Sequence, residues 1–342
     1  MLRGGQLGHR REILALLILL ALIVVVFAVV VGPVDIPIGE TLSYLIGRGG
    51  LVKRAQPTHY LIISDIRLPR VLLGLLVGWS LALAGGTMQG LFKNPLASPY
   101  VLGVASGASA GAALVALLRP HGALLLPLGA FVGGALAVTI VYRIAQRHRR
   151  GTSIYTLILA GVAVGAMFSA LTSFMIFLTS RSQRLTDIIF WTMGGLGRGN
   201  WPAVYVLAPI AILSSLVILA FSRDLNALSL GEESAFHLGI NPERSNRILL
   251  GVSTLLTSAA IAGTGTIGFV GLITPHIMRL ILGPDHRWLL PASGVAGGIF
   301  LVLADMLART VVQPAELPVG VITAFVGAPF FLWLLRTRGG NL

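Results

Sequence analysis

The sequence predicts an all-α integral membrane protein of about ten transmembrane helices. Of its 342 residues, 55% are hydrophobic and 11% charged, where a soluble domain carries about 25% charged. Mean hydropathy is +0.88, and the apolar runs are continuous rather than alternating, which fits helices and not a barrel. The 42 glycines suit helices packed in lipid, where small residues let backbones approach.

The apolar segments run roughly over 13–32, 61–84, 96–118, 123–142, 154–178, 203–222, 247–264, 266–283, 288–311 and 317–335. Each is near the ~20 residues that cross a bilayer. The first follows Arg3, Arg10 and Arg11. It is longer than a signal-peptide core of about 7–15 residues, and is read as a retained span. Gly263-Thr264-Gly265 leaves little loop between the seventh and eighth. One broken helix there would make nine spans. Ten spans put both termini on one side, and more Lys and Arg fall in the loops of that side, so both termini are expected in the cytosol.

Residues 1–342 are expected to form a single transmembrane domain, since no connection is long enough to fold alone. The largest are about 33–60, 179–202 and 222–247. There is no cysteine, which excludes disulfides, thiol chemistry and Cys-based metal sites. No Walker A pattern is present, so the chain hydrolyses no nucleotide by that route. The +13 net charge is spread between spans, which argues against nucleic acid as a partner. No metal or cofactor site is expected.

Residues 222–247 stand apart, a polar helical stretch inside an oily chain. Glu232 and Glu233 suit a first helical turn, where the dipole favours acids. Gly239 is placed as a C′ stop, and Asn241-Pro242-Glu243 as N-cap, N1 and N2 of the next helix. Ala235 and Leu238 are expected on one face at i, i+3, with Phe236 beside them. This is either an ordinary interhelical loop or a docking helix for a soluble motor.

Five stretches together resemble the permease subunits of bacterial type II ABC importers for iron-siderophores, haem and cobalamin. They are RLPRVLLGLLVGWSLALAGGTMQGLFKNPLASPYVLGVASGA (67–108), WTMGGLGRGNW (191–201), LSLGEESAFHLGI (228–240), GTIGFVGLITPHIMR (265–279) and LADMLARTVVQPAELPVGVITAFVGAPFFLWLL (303–335). The resemblance implies a ten-helix, non-catalytic subunit working as a homodimer in the bacterial inner membrane. It also implies two cytosolic ATPase subunits and one periplasmic substrate-binding protein, with membrane lipid around. The cargo it implies is an iron complex, haem or ferric siderophore, with cobalamin as the alternative.

By the same resemblance, Glu232, Glu233, Ala235, Phe236, Leu238 and Gly239 form a coupling helix seated in an ATPase groove. Arg67, Arg70 and Arg309, at outer span ends, match arginines that pair with glutamates of the binding protein. Lipid-phosphate anchoring is the other reading of Arg67 and Arg70. For Arg309 it is a simple pair with Asp305, the one acid inside an expected span. Asn94 and Leu96, with Thr152 and Ser153, match positions that narrow the cytosolic end of the pore. Thr152 and Ser153 would equally cap the fifth span. Gly161, Gly165, Met167, Phe168, Ser169, Ser173 and Met175 on that span are the expected pore lining, though a Met in a span more often just packs. His276 follows Pro275, which predicts a kink and a freed carbonyl, and is read as a structural partner rather than a haem ligand.

A secondary transporter driven by an ion gradient would want several acids or histidines deep in its spans. Only Asp305 qualifies, and it lies near a span end. A membrane-embedded enzyme would want a cluster such as HExxH, and none occurs.

Overall fold

The computed structural model describes residues 2–45, 57–118, 124–146, 154–179 and 184–338. Among these every regular element is helical. The α-helices are α1 (Leu2–Val30), α2 (Ile38–Leu45), α3 (Pro57–Leu61), α4 (Leu68–Leu91), α5 (Val104–Leu118), α6 (Leu125–Ala145), α7 (Ile154–Thr179), α8 (Arg184–Met193), α9 (Trp201–Ala220), α10 (Ser222–Ser229), α11 (Glu232–His237), α12 (Pro242–Thr264), α13 (Val270–Leu282), α14 (His286–Ala308) and α15 (Val319–Arg338). A π-helical turn, Ile62–Arg67, joins α3 to α4, and a 3₁₀ turn, Pro99–Leu102, precedes α5.

Among the described residues, seven helices are long and apolar enough to cross a membrane, and α5, α13 and α15 supply three shorter apolar ones. Together they match the ten segments expected from the sequence. The seventh and eighth are separate helices. α12 ends at Thr264, and the chain breaks at Gly265 (φ 73°) and Phe269 (φ 66°) before α13 begins. α13 then returns toward the end from which α12 started, since the beginnings of α12 and α14 both bond to α10.

α5 and α13 are short because the backbone before each is not helical. The 13 residues of α13 span ~20 Å at 1.5 Å per residue, less than the ~30 Å hydrocarbon core. Non-helical backbone at that depth needs an internal partner. The two breaks supply one another: the Tyr100 hydroxyl donates to the Ile267 carbonyl at 2.7 Å. Pro275 removes the hydrogen bond that Gly271 would accept, as the sequence predicts. Gln89 Nε2 lies 3.5 Å from that carbonyl and donates to Leu272 O at 3.2 Å.

α4 sits at the centre, with nearly all of its length buried. Glycines set how closely it is approached. A Cβ on Gly78 would lie 2.2 Å from the Gly297 carbonyl of α14, and one on Gly85 2.0 Å from the Gly271 carbonyl of α13. α5 and α6 repeat the device: a Cβ on Gly107 would meet Gly133 O at 2.4 Å, and one on Gly111 would meet Gly129 O at 2.0 Å. Both helices carry glycines four apart, the small-xxx-small pattern of close packing in lipid. The periphery is apolar and exposed, as with Leu159 and Phe177 of α7 and Phe325 and Leu332 of α15. Lipid, not water, is the solvent such surfaces fit.

Gly78→Ala is expected to destabilise the detergent-solubilised protein by roughly 1–3 kcal/mol or more, because backbone rather than a side chain must move. Gly251→Ala, where a Cβ meets nothing within 4 Å, is the control expected to unfold at or above the parent temperature. Thermal unfolding of the two variants checks the ranking.

Candidate functional site

Two polar centres lie at opposite ends of the helix bundle. At the first, α10 and α11 protrude between α9 and α12. Gly231 (φ 125°) opens α11 and Gly239 (φ 80°) closes it in the left-handed region, as the sequence predicts. Asn241 Oδ1 then accepts from the Arg244 backbone N–H at 3.0 Å, which caps α12. Glu232, Glu233, Phe236, Leu238 and Gly239 are exposed. Ala235 is fully buried, while Phe236 is 69% and Leu238 64% exposed. Ala235 and Leu238 therefore do not share a face, contrary to the i, i+3 expectation. α11 ends at His237, so Leu238 leaves the helical register as its C-cap. With Leu230, also exposed, Phe236 and Leu238 put three large apolar side chains on the surface of the protruding element.

α10 is an element the sequence reading did not separate. Its Leu225 and Leu228 are buried, and its polar side chains bond outward. Asp224 accepts from the Ser245 hydroxyl at 2.6 Å, and Asn226 donates to Asp285 at 2.7 Å. Asp285 caps α14, takes Arg287 at 2.7 Å, and faces Arg10 of α1 at 3.5 Å. The Arg287 and Asn226 hydrogen bonds hold its carboxyl down, from 3.8 to about 2. The stability this lends is present above about pH 4 and is lost only as pH falls toward 2.

At the opposite end, Arg67, Arg70 and Arg309 are 3%, 6% and 2% exposed. All three side chains, expected from the resemblance to pair with glutamates of the binding protein, turn inward within this subunit. Arg67 donates to the carbonyls of Val29, Val30 and Val34, and Arg309 to that of Ala28, so both satisfy the orphan acceptors where α1 ends. Arg70 is a fork between two acids. Its Nη2 donates to Asp305 Oδ1 at 2.8 Å and its Nη1 to Glu316 Oε1 at 2.9 Å. Arg309 Nε lies 3.7 Å from Asp305, the pair the sequence spacing offers. The sequence could not show the Arg70–Asp305 contact, because it joins residues 235 positions apart. Glu316, absent from the sequence reading, keeps a side chain 41% exposed at the rim.

The expected pore lining divides between two faces of α7. Gly161, Phe168 and Met175 are buried within the subunit, while Met167, Ser169 and Ser173 are exposed and Gly165 lies between. A continuous list along a helix spreads around it at 100° per residue, so only part can line one surface. Beside α15 an apolar groove of about 600 Å³ is lined by Met193, Thr266, Val321, Ala324, Phe325 and Ala328. At the expected gate, the exposed Asn94 holds a tight turn, its side chain accepting from the Leu96 N–H at 2.8 Å. Thr152 and Ser153 lie outside the described residues. His276 is buried, its ring edge against Phe330. Among the described residues no His, Asp or Glu cluster could hold a metal.

The model of the FecCD transport family matches residues 19–337. This chain belongs to that family. It is 45% identical to the cobalamin import system permease protein BtuC of Halobacterium salinarum, over 82% of this chain and 75% of that one. It is 42% identical to the hemin transport system permease protein HmuU of Yersinia pestis, over 80% and 83%. A solved structure presented as an inward-facing metal-chelate type ABC transporter superposes with a TM-score of 0.84 at 31% identity, covering 96% of this chain and 99% of that one. The protein is thus a multi-pass ABC importer permease.

Removing one member of the buried pair should be far costlier than removing the rim acid. Asp305→Ala is expected to lose about 3–5 kcal/mol, by taking the carboxylate from buried Arg309 and leaving Arg70 only the rim acid Glu316. Glu316→Ala should lose about 1 kcal/mol or less. Chemical unfolding in detergent compares them.

Proposed function

We propose that this chain is the membrane-spanning, non-catalytic half of an ATP-driven importer for a bulky metal chelate, working by alternating access. Haem, ferric siderophores and cobalamin share that chemistry. The similarity to a cobalamin permease and a hemin permease at nearly equal identity supports the class rather than the iron complexes alone. The observation that carries the reading is the exposed apolar surface of Leu230, Phe236 and Leu238 on the protruding α10–α11 element. A lipid-facing structure has no use for it, whereas a soluble motor can grip it.

In this reading α11 docks into a cytosolic ATPase, and both termini lie on the cytosolic side of the cell's cytoplasmic membrane. Two copies of the chain, two ATPase subunits and one extracytoplasmic binding protein complete the assembly. Closure of the motors pushes α11 and rocks the helices around the pore, a rigid-body transition. Gly165, Ser169 and Ser173 of α7 and the groove beside α15 give the cargo a wall of small and apolar side chains. Asn94 and Leu96 stand at the cytosolic constriction. The binding protein docks over the end that holds Arg67, Arg70 and Arg309, whose buried side chains shape that rim from beneath. An ion-gradient mechanism is disfavoured because Asp305, the one buried carboxylate among the described residues, is locked between arginines.

Phe236→Ala with Leu238→Ala is expected to weaken retention of the ATPase subunits at least tenfold, the ~1.4 kcal/mol that losing two exposed apolar anchors readily exceeds. Co-purification from detergent measures it, and undiminished retention would overturn the coupling assignment. Cyanocobalamin, haemin and a ferric hydroxamate, each supplied with the cognate binding protein, test the cargo class. At least one should raise ATPase turnover, and stimulation by none would contradict the metal-chelate reading.

A further inference from the structure

A six-residue helix cannot move a membrane domain unless it is fastened to it. α11 is held directly by its buried Ala235 and by Asn246 Nδ2, 3.5 Å from Glu232 Oε1, and otherwise through α10. Leu225 is fully buried beneath the end of α4, within 3.2 Å of where a Cβ on Gly90 would stand. Asp224 ties α10 to α12 through Ser245. The other tie is Asn226, and it uses both ends of the amide. Nδ2 donates to Asp285 Oδ1 at 2.7 Å. Oδ1 accepts from the His286 backbone N–H at 2.9 Å, with His286 Nδ1 2.8 Å away.

The groups that Asn226 holds are themselves fixed. Asp285 faces Arg10 of α1 and takes Arg287 of α14. The His286 ring is buried over the end of α4, where a Cβ on Gly90 would meet its Nε2 at 2.7 Å. One amide therefore reaches a junction of α1, α4 and α14. From that junction the glycine contacts of Gly78 with Gly297 bind α4 to α14 along their length. Arg70 and Asp305 close the same pair at the far end.

We propose that Asn226 is the positioning residue of coupling, the latch that makes α10–α11 and the α4–α14 pair move as one body. The inference rests on the coupling reading of α11. An amide at 226 gives Asp285 a donor from α10 and the His286 N–H its acceptor. Leucine supplies neither. Aspartate supplies only the acceptor and sets a second carboxylate against Asp285. With the two exchanged, as Asn226→Asp with Asp285→Asn, the hydrogen bond between them is restored with its direction reversed. The asparagine so placed before His286 can still cap α14.

The chain has no cysteine, so spin labels can be placed at Ser234→Cys and Ile66→Cys, both exposed. They report the distance from α11 to the far end of the α4 column. The experiment is pulsed electron–electron resonance on the full complex with its ATPase subunits, one labelled copy per complex, with and without trapped ATP. With Asn226 intact the distribution should be narrow and unchanged by ATP. N226L and N226D should broaden it and make it shift with ATP, and N226D/D285N should narrow it again. An N226L distribution as narrow and as ATP-independent as that of the parent overturns the latch. If N226L does not assemble, N226D against the double variant decides, and equal breadth in the two overturns it. Failure of the coupling reading is seen separately, as undiminished ATPase retention by the Phe236→Ala, Leu238→Ala variant.

Discussion

The contact between α4 and α14 is the constraint on which the rest of the structure depends. Two glycine-bearing surfaces bring backbones within reach of each other at Gly78 and Gly297. In lipid there is little hydrophobic gain from pairing two apolar helices, so close packing and internal polar bonds must hold them. The pair has both: backbone contact along its middle, and Arg70 bound to Asp305 at one end. At the other end the His286 ring rests over Gly90. α1, α9, α12 and α13 then pack around this column.

Charge is placed with the same economy. Three arginines are buried at the end of α4 and α14 away from α11, yet none is idle. Arg67 and Arg309 bond to the terminal carbonyls of α1, groups that nothing else in a membrane would satisfy. Arg70 has two carboxylates, of which only Glu316 reaches the rim. Buried charge of this kind fixes where helix ends meet rather than adding net stability. It also changes what the arginines can do for a partner, because a side chain committed to the interior shapes a surface without forming it.

How far the sequence could be read depended on whether the signal was local. The spans are continuous apolar runs, and the left-handed stop at Gly239, the Asn241 cap and the carbonyl freed by Pro275 arise within one or two helical turns, so each was legible. The Arg309–Asp305 pair was legible for the same reason, as an i, i+4 spacing. Arg70 with Asp305, Tyr100 with Ile267 and Asn226 with Asp285 join distant positions, and no periodicity announces them. The face of Leu238 was misjudged because the end of α11 falls one residue before it. The α7 residues expected in the pore form one list in sequence but occupy two faces in space. α10 escaped notice because it is polar, eight residues long and separated from α9 by a single residue.

In the proposed function, motion originates in a soluble motor gripping α11 and not in an ion gradient across the spans. The direct measurement is uptake into proteoliposomes holding the permease, its ATPase subunits and the cognate binding protein loaded with cyanocobalamin, haemin or a ferric hydroxamate, whichever it binds. Accumulation should require internal ATP and persist when proton and sodium gradients are collapsed. Accumulation driven by an imposed gradient, with the ATPase inactivated, would contradict the proposed function.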